Sequence, residues 1–575
     1  MCGIHAIIEV IDGGNRKCNQ DGIATSDALS SDLRDRLTRR GPDHLGQVAV
    51  SSSSIRSDGK TVSLCFTSTV LALRGDGLTK QPFVDSSPAR SVLCWNGEVW
   101  RVDGAAASVD GNDGQELFER LTAADDALSV LRAVEGPFAF VYYDGVTNRL
   151  FYGRDRLGRR SMLQQTTGDR LTLSSVSDVP EDASASTHLP WTEVEADGVY
   201  VMDLQHDHPL MSIVRHDWSD EFAGDSTDNV VSGLGRSNMA SDPGESGRLT
   251  VDSQSVQELR DQLTASLRLR ALNVPIPPAH AEGIDTRIAV LFSGGLDCTV
   301  LTRLAHDVLP PEQGIDLINV AFENPRVKAN LKGNIDVYEA CPDRITGRAS
   351  WAELQQTCPA RAWRFLAVNV PYTEFVKRRP TIVALMHPHD TEMDLSIASA
   401  LYFAARGQTG REETPARVLL SGLGADELFG GYGRHAIAYK VGAAADQAKN
   451  EAKNNASSGY AALAAELHLD VARLGRRNLG RDDRVFAHWG REVRFPFLDE
   501  QLVRWAIALP AWTKCDFGSP FERENEVEPA KRVLRLVAQS LELLGVAHEK
   551  KRAIQFGART AKMESGRVKG TARVI

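Results

Sequence analysis

RIAVLFSGGLDCTVLTRLAHDV, residues 287–308, decides the fold of the larger part of this chain. Residues 287–292 form an apolar, β-rich run and residues 298–308 carry a helical pattern, with Ser293-Gly294-Gly295-Leu296-Asp297 between them. Glycines at such a junction let backbone N–H groups approach a phosphate, and the helix N-terminus adds a favourable dipole. A simple strand-to-helix turn is the alternative reading. No Walker GK[ST] or GxGxxG element competes for the nucleotide. Downstream, short buried runs at 317–322, 365–370 and 417–420 alternate with helical patterns. That rhythm predicts an α/β domain, a parallel sheet covered by helices on both faces. The Ala-, Lys- and Glu-rich stretch 442–467 reads as an exposed helical insertion.

Upstream the pattern is different. Residues 3–10, 62–72, 91–100 and 138–143 are short apolar or alternating runs, and Asp144-Gly145 turns the last of them into a hairpin with 149–152. Helical patterns at 29–39 and 115–124 interrupt these strands, which predicts a layered α+β domain. Between the two regions the composition shifts to Ser, Gly, Asp and Asn with few large apolar residues, as in a flexible linker. The expected organisation is a domain over 2–215, a linker over 216–255 and a second domain over 256–575.

The 575 residues are 42% hydrophobic and 25% charged, an ordinary globular composition. A formal charge of -10 argues against a general nucleic-acid binder, which needs a basic surface. No apolar run approaches the roughly 18 residues that a membrane crossing needs. MCGIHAIIEV lacks the basic n-region of a signal peptide, and His5 and Glu9 break its apolar stretch. Eight cysteines, none in a CxxC pair, suit a reduced, cytoplasmic protein and exclude a zinc knuckle.

Cys2 follows the initiator methionine, and its small side chain favours removal of Met1. A thiol and a free α-amine would then share one residue, and the amine can take the thiol proton without a histidine base. Arg40-Gly41-Pro42-Asp43, Trp95-Asn96-Gly97-Glu98 and Asn112-Asp113-Gly114 follow in order, each at an expected turn. With MCGI and the GRDRLG of 153–158 they resemble the class II, N-terminal nucleophile glutamine amidotransferase domain, over about residues 2–190. The resemblance implies a layered α/β/β/α fold with Cys2 as nucleophile. It also implies that Arg40 holds the glutamine carboxylate, Asp113 its α-amino group, and Asn96 with the Gly97 N–H an oxyanion hole. Glu98 joins this glutamine-binding set.

SGGLD resembles the pyrophosphate loop of ATP pyrophosphatases, which cleave between the α and β phosphates. Leu420-Ser421-Gly422-Leu423-Gly424-Ala425-Asp426-Glu427 and Arg494-Phe495-Pro496-Phe497-Leu498-Asp499 extend the likeness to the synthetase domain of asparagine synthetases, over about 255–570. The resemblance implies ATP and Mg²⁺, with Ser293, Gly294 and Gly295 around the pyrophosphate. Leu291, Val320, Ser421 and Gly422 would line the nucleotide pocket, and Asp297 and Asp426 would hold the metal. Two positions depart from the pattern. Cys298 stands where Ser or Thr is usual, and a thiol is the weaker donor. Leu423 replaces a glutamate implicated in forming the aspartyl-adenylate, and leucine neither carries charge nor moves a proton. With 342–348 and 551–557 this resembles the asparagine synthetase domain-containing branch. Three readings follow. The first is a glutamine-hydrolysing ligase making asparagine, and the second the same chemistry on another carboxylate. The third is a binding or regulatory protein that has lost the synthetase step. Small molecules are the expected partners in each, with neither nucleic acid nor membrane.

Overall fold

Alternation along the strand Gly3–Asp12 sends Ile4, Ala6 and Ile8 into a core between two sheets. The computed structural model describes residues 2–12, 29–52, 60–75, 77–181, 190–221, 228–244, 248–277, 285–448, 455–519, 526–563 and 569–574. Cys18 lies outside them. The first sheet is antiparallel, in the order Thr192–Glu193, Leu163–Thr167, Arg170–Ser174, Gly3–Asp12, Lys60–Val70, His44–Ser51. The second is antiparallel too: Val214–His216, Val199–Asp203, Arg149–Arg154, Phe138–Asp144, Val92–Gly97, Phe83–Val84. The expected hairpin is there, with Arg149 opposite Asp144.

Helix Ser31–Arg40 covers the outer face of the first sheet with Leu33 and Leu37, which pack with Val176. Helix Asp113–Ala123 lays Leu117, Phe118 and Leu121 against Phe83, Leu93 and Trp95 of the second sheet. The layers therefore run α/β/β/α, as the sequence implies.

The second domain holds a five-stranded parallel sheet in the order Trp363–Val370, Ile315–Phe322, Ile288–Leu291, Val418–Leu420, Glu492–Arg494. Ile315–Phe322 is buried at every position, as a strand covered on both faces must be. In chain order these strands read 3-2-1-4-5, so the order reverses at Ile288–Leu291. A crevice at the carboxyl ends of the strands beside such a reversal is where open α/β sheets take their ligands.

Two expectations need correction. The described part of 216–255 is not a free linker. Val230–Val231 pairs with Gly235–Arg236, and Val231, Leu234 and Leu249 enter the core of the second domain. The Asn238 amide donates to the Ile507 carbonyl at 2.7 Å, and Arg248 pairs with Asp516 at 2.7 Å and Glu526 at 2.9 Å. A few apolar anchors and satisfied backbone groups are enough to order a polar segment. The described parts of 442–467 fall in helices, within Gly433–Ala448 and Asn455–Ala472. They are not simply exposed, because Tyr460, Leu463 and Leu467 pack with Ala511 and Cys515 in a satellite core.

The two domains meet through buried arginine–carboxylate pairs. Arg101 reaches Asp499 at 3.0 Å, Arg160 reaches Glu492 at 3.1 Å, and Arg159 pairs with Glu500. Asp155 of the GRDRLG turn holds Arg159 at 2.9 Å, so this motif brackets the domain interface. Among the described residues no helix is long and apolar enough to cross a membrane.

Candidate functional site

Cys2 immediately precedes the central strand of the first sheet, half-buried, with Gln81 Nε2 3.9 Å from its sulfur. Burial raises its thiol pKa above the ordinary value. Arg40 closes helix Ser31–Arg40 and donates from Nε to the Cys2 carbonyl at 3.2 Å. Its Nη2 is already bound to Asp483 of the second domain at 2.8 Å, and its buried Nη1 has no partner. Of the fork that the sequence assigned to a substrate carboxylate, one nitrogen remains free. The physical reason is that a guanidinium this deeply buried needs a counter-charge in the fold itself.

Asn96, next to last in the strand Val92–Gly97, is fully buried, with both Nδ2 and Oδ1 unpartnered. Gly97 passes so close to Pro137 and Phe138 that a Cβ would sit 2.5 Å from each. Glu98 accepts from Arg494 Nη2 at 3.1 Å and lies 3.5 Å from Arg74, leaving Oε2 without a hydrogen bond. Burial pushes its carboxyl up to about 8. Asp113 accepts from the amides of Val99 at 2.7 Å and Gly114 at 3.0 Å, and burial raises its pKa too. Buried polar atoms are normally paired. The unpartnered Arg40 Nη1, whose Nε is bonded to the Cys2 carbonyl, and the unpartnered Asn96 amide mark a place where a polar ligand can complete the hydrogen bonding.

At the reversal in the parallel sheet lies a cavity of about 490 Å³. Leu291, Ser293, Gly295, Asp297, Val320, Ser421 and Gly422 all line it, bringing together residues up to 131 positions apart. Gly294 supports it from behind. It has φ +81°, and a Cβ there would meet Gly347 at 2.5 Å, so only glycine fits. A recess beside it shares Ser293, Gly295, Asp297, Lys551 and Arg552 and adds Lys531, Arg535 and Lys550, a cationic wall at the loop. The Cys298 thiol turns inward, donating to the Gly295 carbonyl at 3.3 Å, so it braces the loop.

Asp297 and Asp426 are close neighbours joined by one cation. Lys531 Nζ sits 2.7 Å from Asp297 and 2.8 Å from Asp426, and Lys551 also pairs with Asp426. Burial works against ionisation of both. The two lysines nevertheless hold Asp426 well below the usual carboxylate range, while Asp297 stays raised by burial and by its neighbour's charge. Two carboxylates within reach of one cation fit Mg²⁺, which takes its remaining ligands from phosphate and water.

Leu423 lines the same cavity, partly buried against the domain core, together with Arg477, Arg481 and Asp482. Gln81, Arg74, Asp483 and Lys531 carry no local sequence signal, since a lone Gln-Pro or the EPAKRV of 528–533 resembles any loop. Lys551 and Arg552 lie in a stretch that the sequence did single out.

Residues 374–573 match the Asparagine synthase family, and residues 71–179 match the Glutamine amidotransferase domain. The chain is 32% identical to the asparagine synthetase domain-containing protein 1 of Bos taurus, over 94% of both chains. It is 32% identical to its Homo sapiens counterpart, over 94% of this chain and 93% of that one. A putative glutamine-hydrolysing asparagine synthetase of Methanocaldococcus jannaschii is 32% identical over 54% of this chain and 51% of its own.

Proposed function

The chain belongs to the asparagine synthetase domain-containing proteins, a glutamine amidotransferase family; from that premise we propose that it spends ATP to activate a carboxylate and amidates it with ammonia from glutamine. One observation carries the reading: the unpaired polar atoms beside Cys2 and the nucleotide-type crevice at Ser293–Asp297 coexist in one chain, bridged by buried ion pairs.

With Met1 removed, the Cys2 sulfur attacks the side-chain carbonyl carbon of glutamine, and the thiol proton passes to the α-amine. Asn96 and the Gly97 amide face the oxygen that becomes anionic, the point at which such donors act most strongly. Collapse breaks the C–N bond, and the amine returns the proton to the departing ammonia. Water then cleaves the thioester, releasing glutamate and regenerating the thiol.

At the second site the cationic recess takes the phosphate end of ATP, and Leu291, Val320, Ser421 and Gly422 take the nucleoside. Asp297 and Asp426 would hold Mg²⁺, which when bound offsets the charge of the departing pyrophosphate. The acceptor is a carboxylic acid other than aspartate, because Leu423 offers the acyl-transfer side of the cavity neither charge nor proton. The protein works in the cytoplasm on small molecules. ATP–pyrophosphate exchange across a panel of carboxylates tests the reading. Exchange with one non-aspartate acid supports it, and silence across the panel with nucleotide bound would favour a regulatory protein.

A further inference from the structure

Arg494 ends the edge strand Glu492–Arg494 of the parallel sheet and faces both sites. Its backbone carbonyl accepts the amide of Ser421 at 3.0 Å, and Ser421 lines the nucleotide-type cavity. Its guanidinium is fully engaged on the other side: Nη2 to Glu98 at 3.1 Å, Nε to Glu492 at 2.7 Å and Nη1 to the Arg270 carbonyl at 2.7 Å. Glu98 directly follows Asn96 and Gly97, and its Oε2 has no hydrogen bond. Two residues further on, the Trp100 ring is flanked by the guanidinium groups of Arg494 at 4.9 Å, Arg270 at 5.4 Å and Arg74 at 5.6 Å. The Asn96–Trp100 stretch thus rests on Arg494 through a charge-assisted hydrogen bond and a cation–π contact, both stiff and short-ranged.

We propose that Arg494 is a positioning residue that couples the two sites, so that occupancy of the loop 421–424 sets the geometry of the Cys2 site. The inference rests on the reading above that the cavity takes nucleotide and Cys2 takes glutamine. A ligand that shifts Ser421 pulls on the Arg494 carbonyl, and the side chain of the same residue carries the shift to Glu98. No other residue has to rearrange. Coupling of this kind is reciprocal, and typically changes affinity on the order of 5- to 150-fold.

The test is the rate at which Cys2 is alkylated, followed by intact mass, with and without a Mg–ATP analogue that cannot be cleaved between its α and β phosphates. Two reagents are used: a diazoketone analogue of glutamine, and iodoacetamide, which needs no recognition of glutamine. In the unaltered protein the nucleotide analogue changes the rate by about fivefold or more. In Arg494→Met the ratio falls to about one, and Arg494→Lys restores part of it. Glu98→Leu, which removes the acceptor of the Arg494 hydrogen bond and leaves the second domain's sequence untouched, also abolishes the ratio and guards against misfolding of the Arg494 variants. Calorimetry with the same analogue reports nucleotide binding in each protein. A ratio of one in the unaltered protein, or an undiminished ratio in both Arg494→Met and Glu98→Leu, overturns the proposal. If only the glutamine analogue fails to label Cys2, the glutamine reading falls, while the iodoacetamide ratio still decides the coupling.

Discussion

Arg40 Nη2 lies 2.8 Å from Asp483 Oδ2, an ion pair buried on both sides and spanning the two domains. Asp483 also accepts the Ser161 amide at 3.0 Å, so its carboxylate fastens the end of helix Ser31–Arg40 and the loop at Ser161 to helix Leu479–Ala487. The residue that sequence alone assigned to substrate is therefore part of the domain interface, with one nitrogen to spare.

Asp483→Asn should lower thermal stability and raise the glutamine KM together. Breaking a buried pair by neutralising one partner leaves the other charge uncompensated, at a cost of about 3–5 kcal/mol. Scanning calorimetry and glutaminase kinetics on the variant check this. An unchanged KM would mean that the geometry of Arg40 does not depend on the second domain.

Lys531 stands between two carboxylates that also suit a metal. In Lys531→Met, Mg²⁺ alone should raise the melting temperature clearly, because two buried carboxylates then lack their shared cation. In the unaltered protein Mg²⁺ without nucleotide should do little. Equal responses of the two proteins would remove Asp297 and Asp426 as the metal site.

Legibility in the sequence followed how local each signal was. The strand, glycine loop and helix at 287–308 were readable because the whole device lies in consecutive residues. The cavity's nucleotide wall followed from it, although its members are far apart in the chain. Lys531 and Gln81 were not readable, because their meaning depends on partners 234 and 79 residues away and nothing in their own neighbourhoods marks them. Glu98 and Arg494 each sit in a motif that the sequence singled out, but their pairing across 396 residues was not readable. The stretch 216–255 misled by composition: Val231, Leu234 and Leu249 are too few to form a pattern, yet each is buried.

Acid should weaken the fold between about pH 6.5 and pH 4. Burial lowers His5 to about 4 and His488 to about 3, against an ordinary 6.5. With a depressed native pKa, the unfolded chain binds more protons in this window. Stability from these groups is complete above pH 6.5 and is lost as pH falls, at the limit on the order of 3 kcal/mol for His5 and on the order of 5 kcal/mol for His488. Melting temperatures at pH 7.5 and 5 measure the loss, and His488→Gln should make it shallower. Equal melting temperatures at the two pH values would show that neither histidine is buried neutral.

Leu423 makes aspartate a poor acceptor. Losing a polar group that acts in the transition state costs on the order of 10²–10⁴ in rate. Aspartate-dependent ATP–pyrophosphate exchange should therefore fall about that far below exchange with the preferred acid, with nucleotide affinity intact. Leu423→Glu should not recover the whole deficit, because burial against the core favours a neutral carboxyl. Robust asparagine formation by the unaltered protein would return aspartate as the acceptor.

The central claim is that Cys2 opens the amide of glutamine, and glutamate release tests it most directly. Protein whose N-terminus is verified as Cys2 is incubated with glutamine and Mg–ATP, and glutamate and ammonia are measured beside a Cys2→Ala control. Equal release of both products by the first protein, and none by the second, is the expected result. Release that survives in Cys2→Ala, or a Cys2 protein that leaves glutamine intact with nucleotide bound, would contradict it.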